Sequence, residues 1–285
     1  MSKSYAEVIG DPIDHSKSPL IHGFWLEHLS KESEYRAHHV RKDELADYIA
    51  NKRSDPDWLG SNVTMPHKQA IIPLLDALDP LAEKVGAVNT VVRQSDGSLK
   101  GYNTDVPGFL EPLTKGLSKK HLFRMARILG TGGAARAIIS ALADQGMVLV
   151  LAGRDTAKAE ALLNDLAPQG DHHIAPLTHF AVPTKFEFDD REGCYDLIVN
   201  TTPLGMRGQP PLPFDFSHAP PGSIAYDIVT DPVDTPFLKD ARNSGFETVD
   251  GLSMLIGQAA AAFELFFGLA PPREHDAQLR ERLIA

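Results

Sequence analysis

The chain of 285 residues is poor in several features that mark particular protein classes. Its only cysteine is Cys194, so no disulfide can close within the chain. That usage fits a reducing compartment and predicts a cytoplasmic protein. Basic residues are too few to balance the acidic ones, 28 against 38, which leaves a net charge of −10. A nucleic-acid or anionic-membrane partner is disfavoured by that sign, although a local pocket for a small anion is compatible with it. No apolar run is long enough to span a bilayer. Residues 252–269 come closest, but Gly257, Gln258, Glu264 and Gly268 interrupt them, and an amphipathic, packed helix is expected there. Residues 1–10 lack the apolar stretch of a signal peptide. Internal repeats and low-complexity tracts are missing as well. His172, His173 and His179 fall in a loop-like stretch without regular ligand spacing, and no metal site is expected.

What is present is an ordinary globular balance, 42% hydrophobic and 23% charged, in a chain long enough for one large or two modest domains. Strand and helix patterns alternate. Strands are expected at 5–9, 35–40, 60–64, 88–93 and 98–103, and helices at 18–29, at 43–52 and from about 65 into Leu78. Ser95-Asp96-Gly97 reads as a hairpin turn between the last two strands. A second region begins near Val106. It holds strands at 124–129, 147–152, 195–200 and 223–227, with helices at 134–145 and 156–166. Such alternation predicts an α/β fold with parallel sheets.

Gly130, Gly132 and Ala135 fit G-x-G-x-x-A between an expected strand and an expected helix. Gly130 permits a tight turn, Gly132 lets a pyrophosphate approach the backbone, and Ala135 lets the helix lie close to the sheet. The helix start then offers N–H groups to phosphates. The competing reading is a plain tight turn. A P-loop is excluded because no Gly-Lys-Ser/Thr follows. Gly251-Leu252-Ser253-Met254-Leu255 lacks the final glycine of a nucleophile elbow. At the end of the next strand stand Arg154 and, one turn on, Lys158. An arginine there favours a 2′-phosphate, hence NADP over NAD, whereas Asp155 points to either.

The first region is dense in small polar residues. Ser16 and Ser18 precede a helix, with Pro19 suited to its first turn; they serve either as caps or as hydroxyls for a small anionic group. Asn62 and Thr64 alternate along one strand and share a face. Asn89-Thr90 and Asn103-Thr104-Asp105 fall at strand ends, where side chains of an α/β fold converge on one crevice. Lys68 and Asp105 form a complementary pair. A lysine beside a carboxylate in a partly dry pocket can shuttle the proton of a hydroxyl whose carbon exchanges hydride; the alternative is an ion pair that braces two segments. His67 reads as a packing or surface residue.

Taken together, these blocks resemble the shikimate dehydrogenase family. Gly10-Asp11-Pro12-Ile13-Asp14-His15-Ser16-Lys17-Ser18-Pro19 is similar to its N-terminal motif. Asn62-Val63-Thr64 with Pro66 and Lys68, Gly86-Ala87-Val88-Asn89-Thr90 and Asn103-Thr104-Asp105 match further blocks in order. So do residues 130–136, Asn200-Thr201-Thr202 with Gly205-Met206, and Asp250-Gly251 with Met254-Leu255 and Gln258-Ala259. The resemblance implies two domains: an α/β substrate domain, 1–105 joined by the helices of 250–285, and a Rossmann-type doubly wound NADP domain, 106–249. It implies that Ser16, Ser18, Asn62, Thr64, Asn89, Asp105 and Gln258 contact shikimate, with Lys68 and Asp105 as the catalytic pair. It implies that Gly130, Gly132, Gly133, Ala134, Thr201, Met206, Ile228 and Gly251 lie along the cofactor, with Arg154 and Lys158 at its 2′-phosphate. The activity implied is NADPH-dependent reduction of 3-dehydroshikimate to shikimate in aromatic amino acid biosynthesis, by a monomer or homodimer. An NAD-dependent quinate/shikimate dehydrogenase and a non-catalytic nicotinamide-binding regulator are the alternatives. Three positions depart from the family pattern: Thr230 replaces a tyrosine, Val106 replaces a glycine, and Gly153 and Asp155 flank Arg154 in place of asparagine and threonine.

Overall fold

The structure, a computed structural model, describes residues 3–185 and 193–285. Two compact units share the chain: Met1–Gly108 with Ile256–Ala285, and Phe109–Leu255.

The first unit is built on a six-stranded sheet. Its strands are β1 (Tyr5–Gly10), β2 (Glu34–His39), β3 (Trp58–Val63), β4 (Ala77–Leu78), β5 (Thr90–Arg93) and β6 (Leu99–Tyr102), in the order β2-β1-β3-β5-β6-β4. β1 lies between two parallel neighbours and is buried along its whole length, as a central strand covered on both faces must be. The sheet is not wholly parallel, contrary to expectation. β5 runs antiparallel to both β3 and β6. The β5–β6 connection at Ser95-Asp96-Gly97 is too short for a crossover and permits only a hairpin. Cross-strand register sets Asn62 beside Thr90 and Thr90 beside Tyr102. The C-terminal ends of β1, β3 and β6 and the start of β5 therefore share one edge. Tyr5, Ile9, Trp58, Val63, Val88, Val91 and Leu99 belong to the core beneath it.

The single helix expected from about 65 into Leu78 is also corrected. A four-residue helix, His67–Ala70, gives way to a 3₁₀ turn at Ile72–Leu74, and Ala77–Leu78 is β4. Pro73 has no N–H to continue an α-helical ladder. A helix over Pro80–Val85 was not anticipated. It is capped by the Asp79 side chain, which accepts from the Leu81 N–H, and ends on Gly86 in the left-handed region.

The second unit carries β7 (Phe123–Leu129), β8 (Val148–Gly153), β9 (His173–Pro176), β10 (Cys194–Asn200), β11 (Ile224–Asp227) and β12 (Glu247–Val249). All pair in parallel, in the order β12-β11-β10-β7-β8-β9. That is the doubly wound order, with its switch point between β7 and β10. The helix Gly133–Asp144 returns over the sheet and buries Ala135, Ile138, Ile139 and Leu142, spaced for one helical face. His173 lies on edge strand β9 and His179 in a 3₁₀ turn, not in a loop. Val106 lies inside the helix Asp105–Leu110. Among the described residues no helix is long and apolar enough to cross a membrane, and no group of three His, Cys, Asp or Glu side chains is placed to hold a metal ion.

Candidate active site

At the common edge of the first sheet, polar side chains from four segments form one hydrogen-bonded chain. The Lys68 ammonium donates to Asp105 Oδ2 at 2.6 Å. Lys68 keeps 17% of its side-chain exposure and Asp105 8%, so the pair is largely withdrawn from water but open at the lysine. Both partners are held from behind. The Lys68 carbonyl accepts from the Val88 N–H at 2.8 Å, and the Asp105 N–H donates to Asn103 Oδ1 at 3.1 Å.

Asn89 is the hub. Its Oδ1 accepts from the Thr104 N–H at 2.7 Å, which fixes the amide orientation. Its Nδ2 then donates to Asp105 Oδ1 at 2.9 Å and to Thr104 Oγ1 at 2.9 Å, with Gln258 Oε1 at 3.5 Å. Asp105 thus receives a donor on each oxygen. Buried polar networks hold one geometry when every member is paired, and this carboxylate is paired. Next along the edge, Asn62 Nδ2 donates to Thr90 Oγ1 at 3.0 Å and approaches the Asn89 carbonyl at 3.3 Å. Thr64, one residue past β3, is half-buried, and its N–H donates to the Ile9 carbonyl at 2.9 Å. Ser16 Oγ accepts from the Ser18 N–H at 3.3 Å. Lys68, Asp105, Asn89, Asn62 and Gln258 are therefore brought together as the sequence led us to expect, and Ser16 and Ser18 pair with each other. His67 is fully buried and donates to the Val40 carbonyl at 2.7 Å, which is a packing role.

Sequence reasoning missed Tyr35. It sits on β2, a strand otherwise exposed, and its hydroxyl donates to Asn62 Oδ1 at 2.6 Å. Tyr35 is the one large side chain with a mostly apolar ring in the strand Glu-Tyr-Arg-Ala-His-His, and that was the available signal.

The second unit has its own cleft, of ≈ 420 Å³, lined by Gly130, Gly132, Arg154, Lys158 and Thr201 among others. It opens at the C-terminal edge of the parallel sheet, beside the switch point. Gly130 adopts φ 118°, and a Cβ there would meet Thr201 Oγ1 at 2.5 Å; no other residue type fits. Thr201 is itself fixed by its hydroxyl and N–H, which donate to the Leu129 carbonyl at 2.9 and 2.8 Å. A Cβ on Gly132 or Gly133 would meet nothing within 4 Å, so the outer face of the turn is open for close approach. No side chain caps the helix that begins at Gly133; the Ala135 N–H donates to the Gly132 carbonyl at 3.1 Å, which leaves the Gly133 and Ala134 N–H groups for an anion.

Arg154 and Lys158 are exposed at the cleft. Asp155 accepts from the Lys158 N–H at 3.0 Å and caps the helix Thr156–Leu166. Its carboxylate is thereby turned to the helix rather than committed to a ribose. The donor set fits a dinucleotide that carries an extra phosphate. Gly133, Ala134, Met206, Ile228 and Gly251 do not line this cleft. Gly251 lies against the Ile228 and Val229 carbonyls, where a Cβ would come within 2.6 and 2.3 Å. Met206 is 43% exposed on the loop after β10.

Under that loop, Asp227 ends β11 fully buried. It accepts from Asn200 Nδ2 at 3.0 Å, the Val229 N–H at 3.0 Å and Thr235 Oγ1 at 2.7 Å. Burial outweighs these donors and pushes its carboxyl up to about 6.

A glycine turn at the switch point of a doubly wound sheet, with a lysine–carboxylate pair in a separate α/β unit, defines a dinucleotide-dependent oxidoreductase. The family of the shikimate dehydrogenase substrate binding domain matches residues 8–91, and that of the shikimate 5′-dehydrogenase C-terminal domain matches residues 251–278. The chain belongs to the shikimate dehydrogenase family. It is 49% identical over 284 residues to a shikimate dehydrogenase (NADP(+)) of Sphingopyxis alaskensis, covering 99% of this chain and 97% of that one. The crystal structure of shikimate 5-dehydrogenase from Thermus thermophilus in complex with NADP(H) and shikimate is similar at a TM-score of 0.82. It shares 34% identity and is matched over 98% of this chain and 99% of that one. Quinate dehydrogenase from Corynebacterium glutamicum in complex with NAD is similar at a TM-score of 0.84 and 31% identity, with 98% and 99% covered.

Proposed function

We propose that this chain is an NADP-dependent shikimate dehydrogenase, which reduces 3-dehydroshikimate to shikimate in aromatic amino acid biosynthesis. The observation that carries the reading is the Lys68–Asp105 pair at 2.6 Å, tied through Asn89 to a row of hydroxyl and amide groups at one sheet edge. That row suits a polyhydroxylated ring with a carboxylate. The family relationship supports the same substrate and cofactor. Residues 1–105 and 250–285 form the substrate domain in this reading, and 106–249 the NADP domain. The chain acts as a monomer or homodimer in the cytoplasm.

Ser16 and Ser18 hold the substrate carboxylate. Asn62, Thr64, Asn89, Asp105 and Gln258 bind ring hydroxyls. NADPH, when bound, supplies the hydride that the C3 carbonyl carbon receives. Lys68 gives a proton to the oxygen on that carbon as negative charge develops there, and in the reverse direction takes it back. Asp105 keeps the ammonium aimed at that oxygen through the bond at 2.6 Å. Asn89 keeps Asp105 from turning. Gly130, Gly132 and Thr201 line the cofactor in the cleft, Gly133, Ala134, Met206, Ile228 and Gly251 lie along it outside the cleft, and Arg154 and Lys158 meet its 2′-phosphate.

The test is absorbance at the nicotinamide band, with purified protein, in the four combinations of shikimate or quinate with NADP⁺ or NAD⁺. Shikimate with NADP⁺ should give the highest kcat/KM. Turnover confined to quinate and NAD⁺, or binding without turnover, would overturn the reading.

A further inference from the structure

Lys17 stands between the two serines assigned to the substrate carboxylate, yet its ammonium is committed elsewhere. It donates to the Leu283 carbonyl at 2.6 Å, 266 residues on in the chain. A cation free to turn between two hydroxyls would itself grip an anion. Here it binds a neutral oxygen of another element instead. That carbonyl belongs to the last turn of the helix Asp276–Ile284. The last four carbonyls of a helix have no partner in its ladder and form the negative end of its dipole, so an ammonium supplies both the missing donor and the favourable charge.

The helix has its own hold on the first unit. Leu279 and Leu283 are buried. The Arg282 guanidinium lies over the Phe24 ring, 4.8 Å from its centroid, and 3.6 Å from the Glu27 carboxylate. Phe24 and Glu27 belong to the helix Ser18–His28, which starts at the serine loop. One helix therefore grips the other along its side, and grips the loop before it through Lys17. The loop's own bonds are local. The Ser16 N–H donates to the Ile13 carbonyl at 3.0 Å, the Ser18 N–H to Ser16 Oγ at 3.3 Å, and no side chain caps the helix that follows. Ser16 Oγ accepts in that bond and keeps its proton for an anion. Local bonds of this kind leave a loop several conformations. A tie to a packed helix removes them before a ligand arrives, which lowers the cost of binding.

We propose that Lys17 is a positioning residue: it fastens the serine loop to the helix Asp276–Ile284 and so holds the Ser16 and Ser18 hydroxyls ready for the substrate carboxylate. The inference rests on the assignment of those two serines to that carboxylate. It gives the helix Asp276–Ile284 a part in substrate affinity without any contact to the substrate.

The experiment is steady-state kinetics of the full chain with shikimate and NADP⁺. Lys17→Met keeps the aliphatic stem and removes the donor. It should raise KM for shikimate about tenfold, one charge-assisted hydrogen bond, with kcat within about threefold of native. KM for NADP⁺ should stay at the native value, and Lys17→Arg, which keeps donor and charge, should bring KM for shikimate most of the way back. A merely structural role would move both KM values and kcat together. Arg282→Ala loosens the same helix from Phe24 and Glu27. Alone it should raise KM for shikimate about threefold, and in the Lys17→Met background it should add nothing, because the tie it acts through is gone. Effects that multiply would mean that Lys17 acts on the substrate by its charge, and would overturn the proposal. A native KM for shikimate in Lys17→Met while Ser18→Ala raises it would also overturn the proposal and leave the site assignment standing. An unchanged KM for shikimate in Ser18→Ala would overturn the assignment itself.

Discussion

Replacing Asp227 with asparagine should remove a pH dependence from the stability of the second unit. The carboxyl is fully buried, and its folded-state value is about 6 against an ordinary 3.8. Between those two values the folded chain holds a proton that the unfolded chain has lost. Stability contributed by that proton is complete below pH 3.8 and is lost as pH rises to about 6. At about 1.36 kcal/mol per pH unit the window corresponds to a fall of roughly 3 kcal/mol. Asparagine cannot ionise; it keeps Oδ1 for the Asn200 and Val229 donors, and its NH₂ takes the place of Oδ2 and donates to Thr235 Oγ1 instead of accepting from it. Urea unfolding of both proteins between pH 3.5 and 7.5, followed by far-UV circular dichroism, reads the difference directly. The native protein should lose ground to Asp227→Asn across the acid limb and run parallel to it above about pH 6.5. Curves parallel over the whole range would refute the argument that burial, rather than the three donors, governs this carboxyl.

Arg154→Ser should lower kcat/KM for NADPH by about 10- to 100-fold while that for NADH changes little, because a charged contact to phosphate contributes about 1.5–3 kcal/mol; equal losses with both cofactors would remove Arg154 from the 2′-phosphate. Gly130→Ala forces φ 118° on a residue with a Cβ and drives it against Thr201 Oγ1. It should cost about 1–3 kcal/mol in stability of the second unit and weaken NADPH binding, both measurable by thermal melts with and without cofactor.

Much of this arrangement was legible in the sequence because the informative residues sit where backbone geometry is most restricted. The glycine turn was readable from its place between an apolar strand and an alanine-rich helix. Asn89, Asn103 and Asp105 were readable from their position at strand ends. The antiparallel insertion of β5 was half visible: the hairpin turn was recognised, but its effect on the sheet as a whole is a long-range property. The segment after Lys68 was misjudged because its apolar residues suggested a helix, and Pro73 decides against one only by its place in the ladder. β9 and β12 have four and three residues, too short for a periodic signal. Tyr35 was not singled out because its bond to Asn62, 27 residues on in the chain, forms only after folding. Asp155 was ambiguous for the opposite reason: a carboxylate before a helix suits a cap and a ribose equally, and only the bond to the Lys158 N–H distinguishes them.

The account turns on Lys68 as the proton donor. In a stopped-flow single turnover, NADPH-loaded enzyme is mixed with 3-dehydroshikimate and the nicotinamide absorbance is followed; shikimate affinity is measured separately by titration. Lys68→Ala should slow the turnover about 10²–10⁴-fold and alter the affinity by much less. A turnover rate near that of the native enzyme would contradict it.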